Sequence, residues 1–372
     1  MQALSLLNEP HLDKNVCDVL PRGRVVEVLR YDREPWSRGY KVTLESLDKR
    51  KSRTYFFLRV IEGEYHQEAA TSEYQCQHDL GQYIPMTVYS PRGYGTFQSD
   101  PNKSFFLTTF RDLQYYPWPK PYEVVDLLCT LHRIAVSPME SGFGFHLDTF
   151  HAKKPQCNQW CHDWNEFFSR VLRLDIGRLL QARANDQHFL DLVEFLPLAI
   201  DLVEKVVPRL LIPLQSKGRT IKPIMVIGDL QMGDLRRDRT TGRLGLAYLG
   251  ACYYAHHEMG LVKMLNAWAP GDDAERDQLL QLYEWKVGFS EPVCEYNDRL
   301  LLYALQTKMR SLTEDASQKG WFLQGMRYLV EKYPRAYDER FDDPRMREQL
   351  YRDHDRNEPN YAVDEAHFPP PH

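Results

Sequence analysis

One β interruption inside a helical half constrains this chain most. From Ile221 to Glu258 the sequence IKPIMVIGDLQMGDLRRDRTTGRLGLAYLGACYYAHHE reads as strand, polar loop, Thr-Gly turn, strand, then helix. Amphipathic helical segments stand on both sides of it. A lone hairpin is marginally stable unless it is packed, so it needs a structural or functional reason to be there. Loops held on such rigid supports commonly carry function. This loop holds two carboxylates, Asp229 and Asp234, each directly after a glycine. Read alone, it is either a polar turn capped by aspartate or a site.

The remainder divides in sequence order. Residues 22–61 read as β, with the strand-like cores RGRVVEVLRYD, RGYKVTLESL and RTYFFLRVIEG. EYHQEAATSEYQCQHDLGQY has helical composition, and MTVYSPRGYGTF and SFFLTTFRDL flank the turn-rich QSDPNK. This predicts a β-rich lobe over 1–114, and the Pro-rich QYYPWPKP predicts a linker over 115–121. Residues 122–335 are mainly helical. In PYEVVDLLCTLHRIAV, Val124, Leu127, Leu128, Leu131 and Ile134 recur at helical spacing. Trp160, Trp164, Phe167, Phe168, Val171 and Leu172 share one side of the next helix, where the two tryptophans are expected in the core. Pro197 and Pro208 mark kinks or starts, and 336–372 is a charged tail ending HFPPPH.

A net charge of -5, with no basic block, argues against nucleic acid or an anionic membrane as partner. No apolar run reaches the roughly 20 residues that span a bilayer, and the N-terminus does not read as a secretory signal. Seven scattered cysteines suit a reduced, cytoplasmic compartment. CNQWCH, with Cys157, Cys161 and His162, matches no zinc spacing and is read as structural.

A β-rich lobe, a linker and a helical lobe with a strand–Gly-Asp loop–strand insert is the kinase-like arrangement. The pieces YFFLRV, SEYQ, SFFLTTFRDL, LHRIAVSPMESGFGFHLDTF, VVPRLLIPLQSKGRTIKP, IGDLQMGD, YYAHHE, SEPVCEYNDRLLLYAL and MRYLVEKY narrow it. Over about residues 25–335 the chain resembles the fructosamine/ketosamine-3-kinase family, in particular its fungal branch, among the aminoglycoside-phosphotransferase-like kinases. The resemblance implies an α+β, protein-kinase-like bilobed fold with a small β-rich N-lobe and a large helical C-lobe carrying the catalytic-loop hairpin. It also implies a small-molecule substrate.

Phosphoryl transfer needs a base near the acceptor hydroxyl, metal ions on the phosphates and a cation on their oxygens. In the family the loop reads His-Gly-Asp, with an Asn five residues after the Asp and a metal-binding Asp at the end of the next strand. A third-strand Lys pairs with a helix Glu. Carried over, the base is Asp229, but the His position is Ile227 and the Asn position is Asp234. The metal-binding Asp falls on Leu249 and the Lys on Arg59, with Glu73 as its partner. Mg²⁺ takes about six oxygen ligands, usually with one or two carboxylates, and leucine supplies none; Asp234 is the candidate replacement. His256 is a candidate acid–base group. His146 and Glu258 are candidate pocket residues, with a satisfied structural cluster as the alternative for the YYAHHE segment.

Three functions follow as expectations. One is a non-phosphorylating biosynthetic enzyme in the interlobe cleft, performing a cyclisation, condensation or isomerisation. Another is an ATP-dependent ketosamine kinase with unusual metal ligation, for which alone Mg·ATP is a cofactor. The third is a non-catalytic pseudokinase scaffold.

Overall fold

The alternating stretches of the first hundred residues pair as one antiparallel sheet. Strands β1 (Arg24–Glu34), β2 (Ser37–Glu45), β3 (Arg53–Glu62), β4 (Pro91–Thr96) and β5 (Lys103–Thr109) lie in the order β1-β2-β3-β5-β4. Period-two burial is explicit. Val42 and Leu44, Phe56 and Leu58, and Phe105 and Leu107 form one core with Val16 of helix α1 (Lys14–Val19). That helix, absent from the sequence expectation, is capped by Asp13, whose side chain accepts the Asn15 amide at 2.9 Å. A second cluster joins Ile61 of β3 to Ala69 and Ala70 of helix α2 (His66–Tyr83) and to Phe150. The alanines let helix and sheet approach closely.

The computed structural model describes residues 12–34, 37–151, 153–184, 191–228, 230, 232–247, 249–266, 273–312 and 319–342. Contacts group the chain into two units, which do not follow sequence order. The first is Met1–Pro119 with Phe145–Gln159 and Ile227–Tyr253. The second is Lys120–Gly144, Trp160–Val226 and Tyr254–His372. Thus 145–159 and 227–253, which sequence order assigned to the helical lobe, group with the β-rich segment. They contribute short strands: β10 (Leu235–Asp238) lies between β11 (Leu244–Leu246) and β6 (Leu113–Gln114) of the first segment, and β7 (Thr149–His151) pairs with β8 (Lys154–Gln156). β9 (Ile224–Ile227) pairs with β12 (Cys252–Ala255).

The second unit is helical: α3 (Pro121–Ile134), α4 (Trp164–Ala184), α5 (Leu192–Asp201), α6 (Val207–Leu211), α7 (His257–Asn266), α8 (Asp273–Lys286), α9 (Tyr296–Leu312) and α10 (Lys319–Lys332). The expected stripe of α3 is buried from Val124 to Leu131, but Ile134, in its last turn, is 42% exposed. Trp164 is fully buried, whereas Trp160 is half-buried and stacks on Tyr254. Pro197 lies inside α5. The helix then passes through a π turn, Leu202–Val206, where the Val207 amide reaches Leu202, before α6 and Pro208. A missing proline N–H is accommodated by this shift of register. Among the described residues, no helix is long and apolar enough to cross a membrane. The charged tail lies outside the described residues from 343 onward.

Candidate functional site

Four buried residues, Ile224, Met225, Val226 and Ile227, carry the chain along β9 to Gly228. There the backbone turns: the Gly228 amide donates to the Ala251 carbonyl at 2.8 Å and Leu230 N to Ile227 O at 3.2 Å. Only glycine fits. An added Cβ would lie 2.6 Å from Tyr253 Cε1, 3.1 Å from His151 Cε1 and 3.2 Å from the Ala251 carbonyl oxygen. Asp229, the expected base, lies outside the described residues, as does Tyr248. Asp234 ends a single 3₁₀ turn, Met232–Asp234, is half-buried, and its carbonyl accepts the Ala247 amide at 2.8 Å. Beyond β10 the expected turn is formed, with Asp238 Oδ1 accepting the amides of Thr240 and Thr241 at 2.8 Å each. Leu249, onto which the family resemblance carries the metal-binding aspartate, is 1% exposed. Among the described residues of this loop, Asp234 is the carboxylate-bearing residue.

Arg59 and Glu73 meet as expected. Arg59 Nη1 lies 3.4 Å from Glu73 Oε2, both side chains almost fully buried. Burial pushes the Glu73 carboxyl up, and Arg59 pulls it back in part. Glu73 Oε1 and, one turn along α2, Gln77 Oε1 are buried acceptors with no protein donor among the described residues. Two residues before Arg59, and so on the same face of β3, Phe57 closes a cavity of about 20 Å³ with Tyr31, Gln77, Tyr89, Phe110 and Arg236. That is room for one water-sized body. Burial pushes the Tyr89 phenol up, so it stays protonated.

The expected pocket histidine is not at the loop. His146 is 44% exposed at its side chain, with Nδ1 3.8 Å from Asp79 Oδ2, which leaves it in a surface cluster with His78. The ring that packs on Gly228 belongs to His151, five residues later. Sequence reading passed it over because TFHAKKPQ shows no strand pattern. Its signal was the spacing of two histidines in FGFHLDTFH.

His256 and Glu258 lie in the second unit, and both are fully buried. Glu258 accepts from Arg299 Nε and Nη2 and from the Ser290 amide, each at 2.8 Å. Arg299 also donates to the carbonyls of Pro292 and Ser290. The His256 nitrogens are 2.9 Å from the Tyr303 hydroxyl and 2.8 Å from Ser290 Oγ. These two residues were candidates either for a ligand-facing role or for a satisfied structural cluster; every polar side-chain atom is committed to protein, which fits the second reading. The ligand atoms of His256, His257 and Glu258 do lie within 4.8 Å of one another. Yet Arg299 holds both Glu258 oxygens, and a cation would face its guanidinium, so this donor set does not fit a metal.

The family model described as fructosamine kinase matches residues 42–314. A chloroplastic protein-ribulosamine 3-kinase of Oryza sativa subsp. japonica is 31% identical over 132 residues, 35% of this chain and 34% of the relative. The chain thus spans about a third of the length of the curated relatives it matches. Crystal structures assigned as fructosamine-3-kinases from Thermobifida fusca and Haemophilus somnus superpose with TM-scores of 0.63 and 0.60, each at 17% identity. They cover 86% and 83% of this chain and 100% and 92% of their own. At that identity the likeness shows the fold, a protein-kinase-like α+β phosphotransferase fold.

Proposed function

We propose, from the premise that the chain belongs to the fructosamine kinase family, that it is a small-molecule enzyme that does not run Mg·ATP phosphotransfer. The observation that carries this reading is Leu249, buried and apolar where the family holds a metal-binding carboxylate. Metal stabilisation of the phosphoryl transition state is worth several kcal/mol, so its loss costs orders of magnitude in rate. The chemistry that remains is proton transfer by Asp229 and Asp234. It suits a cyclisation, condensation or isomerisation of a small substrate.

The Arg59–Glu73 ion pair favours a second reading, an ATP-dependent ketosamine kinase in which Arg59 binds phosphate. A thermal-shift titration with ATP, with and without Mg²⁺, separates the two. A ligand at 100 times its Kd raises stability by about 2.7 kcal/mol. The first reading expects no shift at millimolar Mg·ATP. Mg²⁺-dependent ADP release with a ketosamine, abolished in Asp229→Ala, would overturn it in favour of the second.

A further inference from the structure

Two of the seven cysteines meet inside the first unit, although they stand 176 positions apart in the chain. Cys76 lies on α2 and Cys252 opens β12. Both are fully buried, and both are free thiols. The Cys252 amide donates to Cys76 Sγ at 3.3 Å. The Cys252 thiol turns to the same sulfur: burial pushes it well above its ordinary value, and its hydrogen bond to Cys76 adds to the rise. One turn back along α2, Ser72 Oγ donates to the Gly250 carbonyl at 2.9 Å. Two residues a turn apart on α2 thus hold positions 250 and 252 of one segment. The same stretch of helix carries Glu73, the partner of Arg59.

We propose that Cys76 and Cys252 are a reversible dithiol–disulfide pair, oxidised by a hydroperoxide, that latches α2 onto β12. A buried thiol is ordinarily inert. What distinguishes this one is a second thiol already in hydrogen-bond contact with it. Hydrogen peroxide is close to water in size, so a small local opening of α2 admits it to the sulfur. Cys76, deprotonated, attacks one peroxide oxygen. An S–O bond forms, the O–O bond breaks, and the leaving hydroxide takes up the thiol proton as water. The Cys252 sulfur then attacks the sulfenic sulfur. An S–S bond forms, the S–O bond breaks, and the oxygen leaves with the Cys252 proton as a second water. Two thiols are oxidised and one peroxide is reduced to two waters. A small thiol reverses the change by exchange and is itself oxidised. Because the bond would sit one turn from Glu73, it pins the part of α2 that meets Arg59.

The test uses the full chain, treated with millimolar hydrogen peroxide and digested after the remaining thiols are alkylated. A 76–252 cross-linked peptide is expected, two hydrogens lighter than its reduced halves together and lost on treatment with dithiothreitol. In the oxidised protein, hydrogen exchange across α2 is expected to slow about tenfold, while α9 in the second unit keeps its rate. Cys76→Ser and Cys252→Ser should each abolish the slowing, and Cys252→Ala repeats the result without a buried hydroxyl. Three outcomes overturn the proposal. The 76–252 peptide fails to form while the exposed Cys17 and Cys294 are oxidised; the cross-link forms without slowing α2; or peroxide still slows α2 in the serine variants.

Discussion

At Leu249 burial decides what an introduced carboxylate can do. Leu249→Asp places a carboxylate in a site that is 1% exposed. Burying it without partners costs several kcal/mol, or forces it to stay protonated. The expected outcome is a stability loss of about 2–4 kcal/mol, measured by urea unfolding and not recovered by millimolar Mg²⁺. Recovery by Mg²⁺ would mean that the other ligands of a metal site persist, and would count against the proposed function. Arg59 and Glu73 pose a different question, since their pair is buried. Removing one partner of such a pair typically costs about 3–5 kcal/mol, whereas replacing both by apolar residues is often close to neutral. Arg59→Met and Glu73→Leu should each destabilise by that order, and the double variant by much less. A purely additive double-mutant cycle would show that the pair is not coupled.

At the scale of elements, Gly228 is where three segments converge, since its missing Cβ makes room for Tyr253, His151 and the Ala251 carbonyl. The backbone oxygen cannot rotate away, so Gly228→Ala should cost about 1–3 kcal/mol by overpacking. A thermal midpoint equal to that of the parent protein would refute the contact. The strand into this glycine was legible in the sequence, because IMVI followed by Gly-Asp is a short apolar run with a breaker. The Arg59–Glu73 pair was legible through the family resemblance. His151 was not, because a three-residue strand has too few positions for a period and its polar partners are adjacent only after the hairpin closes. His256 and Glu258 were misleading for the opposite reason. His-His-Glu reads as chemistry in sequence, while the partners that saturate it, Tyr303, Ser290 and Arg299, lie more than thirty residues away. The nested β10–β11 hairpin blurred the expected two-stranded insert into four short strands, each set by pairing that no local pattern encodes.

At the scale of the whole molecule, the second unit is held by one chain of neutral groups that reaches across it. Trp164 Nε1 donates to Tyr303, which bonds His256; Ser290 bridges His256 and His257; Tyr283 joins His257 to His132. With one polarity, running from Trp164 to His132, each hydroxyl and the imidazoles of His256 and His257 donate and accept along the chain, His132 accepts at Nδ1, and no charge is needed. Burial is the first cause of the depressed pKa of all three histidines, with His132 brought down to about 3. Their ordinary value is 6.5, so as pH falls below it the unfolded chain takes up protons first. The stabilisation is therefore complete above pH 6.5 and is lost as pH drops toward the folded values. Each histidine contributes a slope of up to about 1.4 kcal/mol per pH unit in that window. Urea unfolding should thus give a stability that is flat above neutrality and falls by several kcal/mol between pH 6.5 and pH 5. Replacing His132, the member nearest the surface, by Gln removes one titrating group and should reduce the slope by about a third. A stability that stays level through this range would mean that the three imidazoles are charged in the folded protein. Ser290 would then face protonated rings on both sides, against the geometry of the chain.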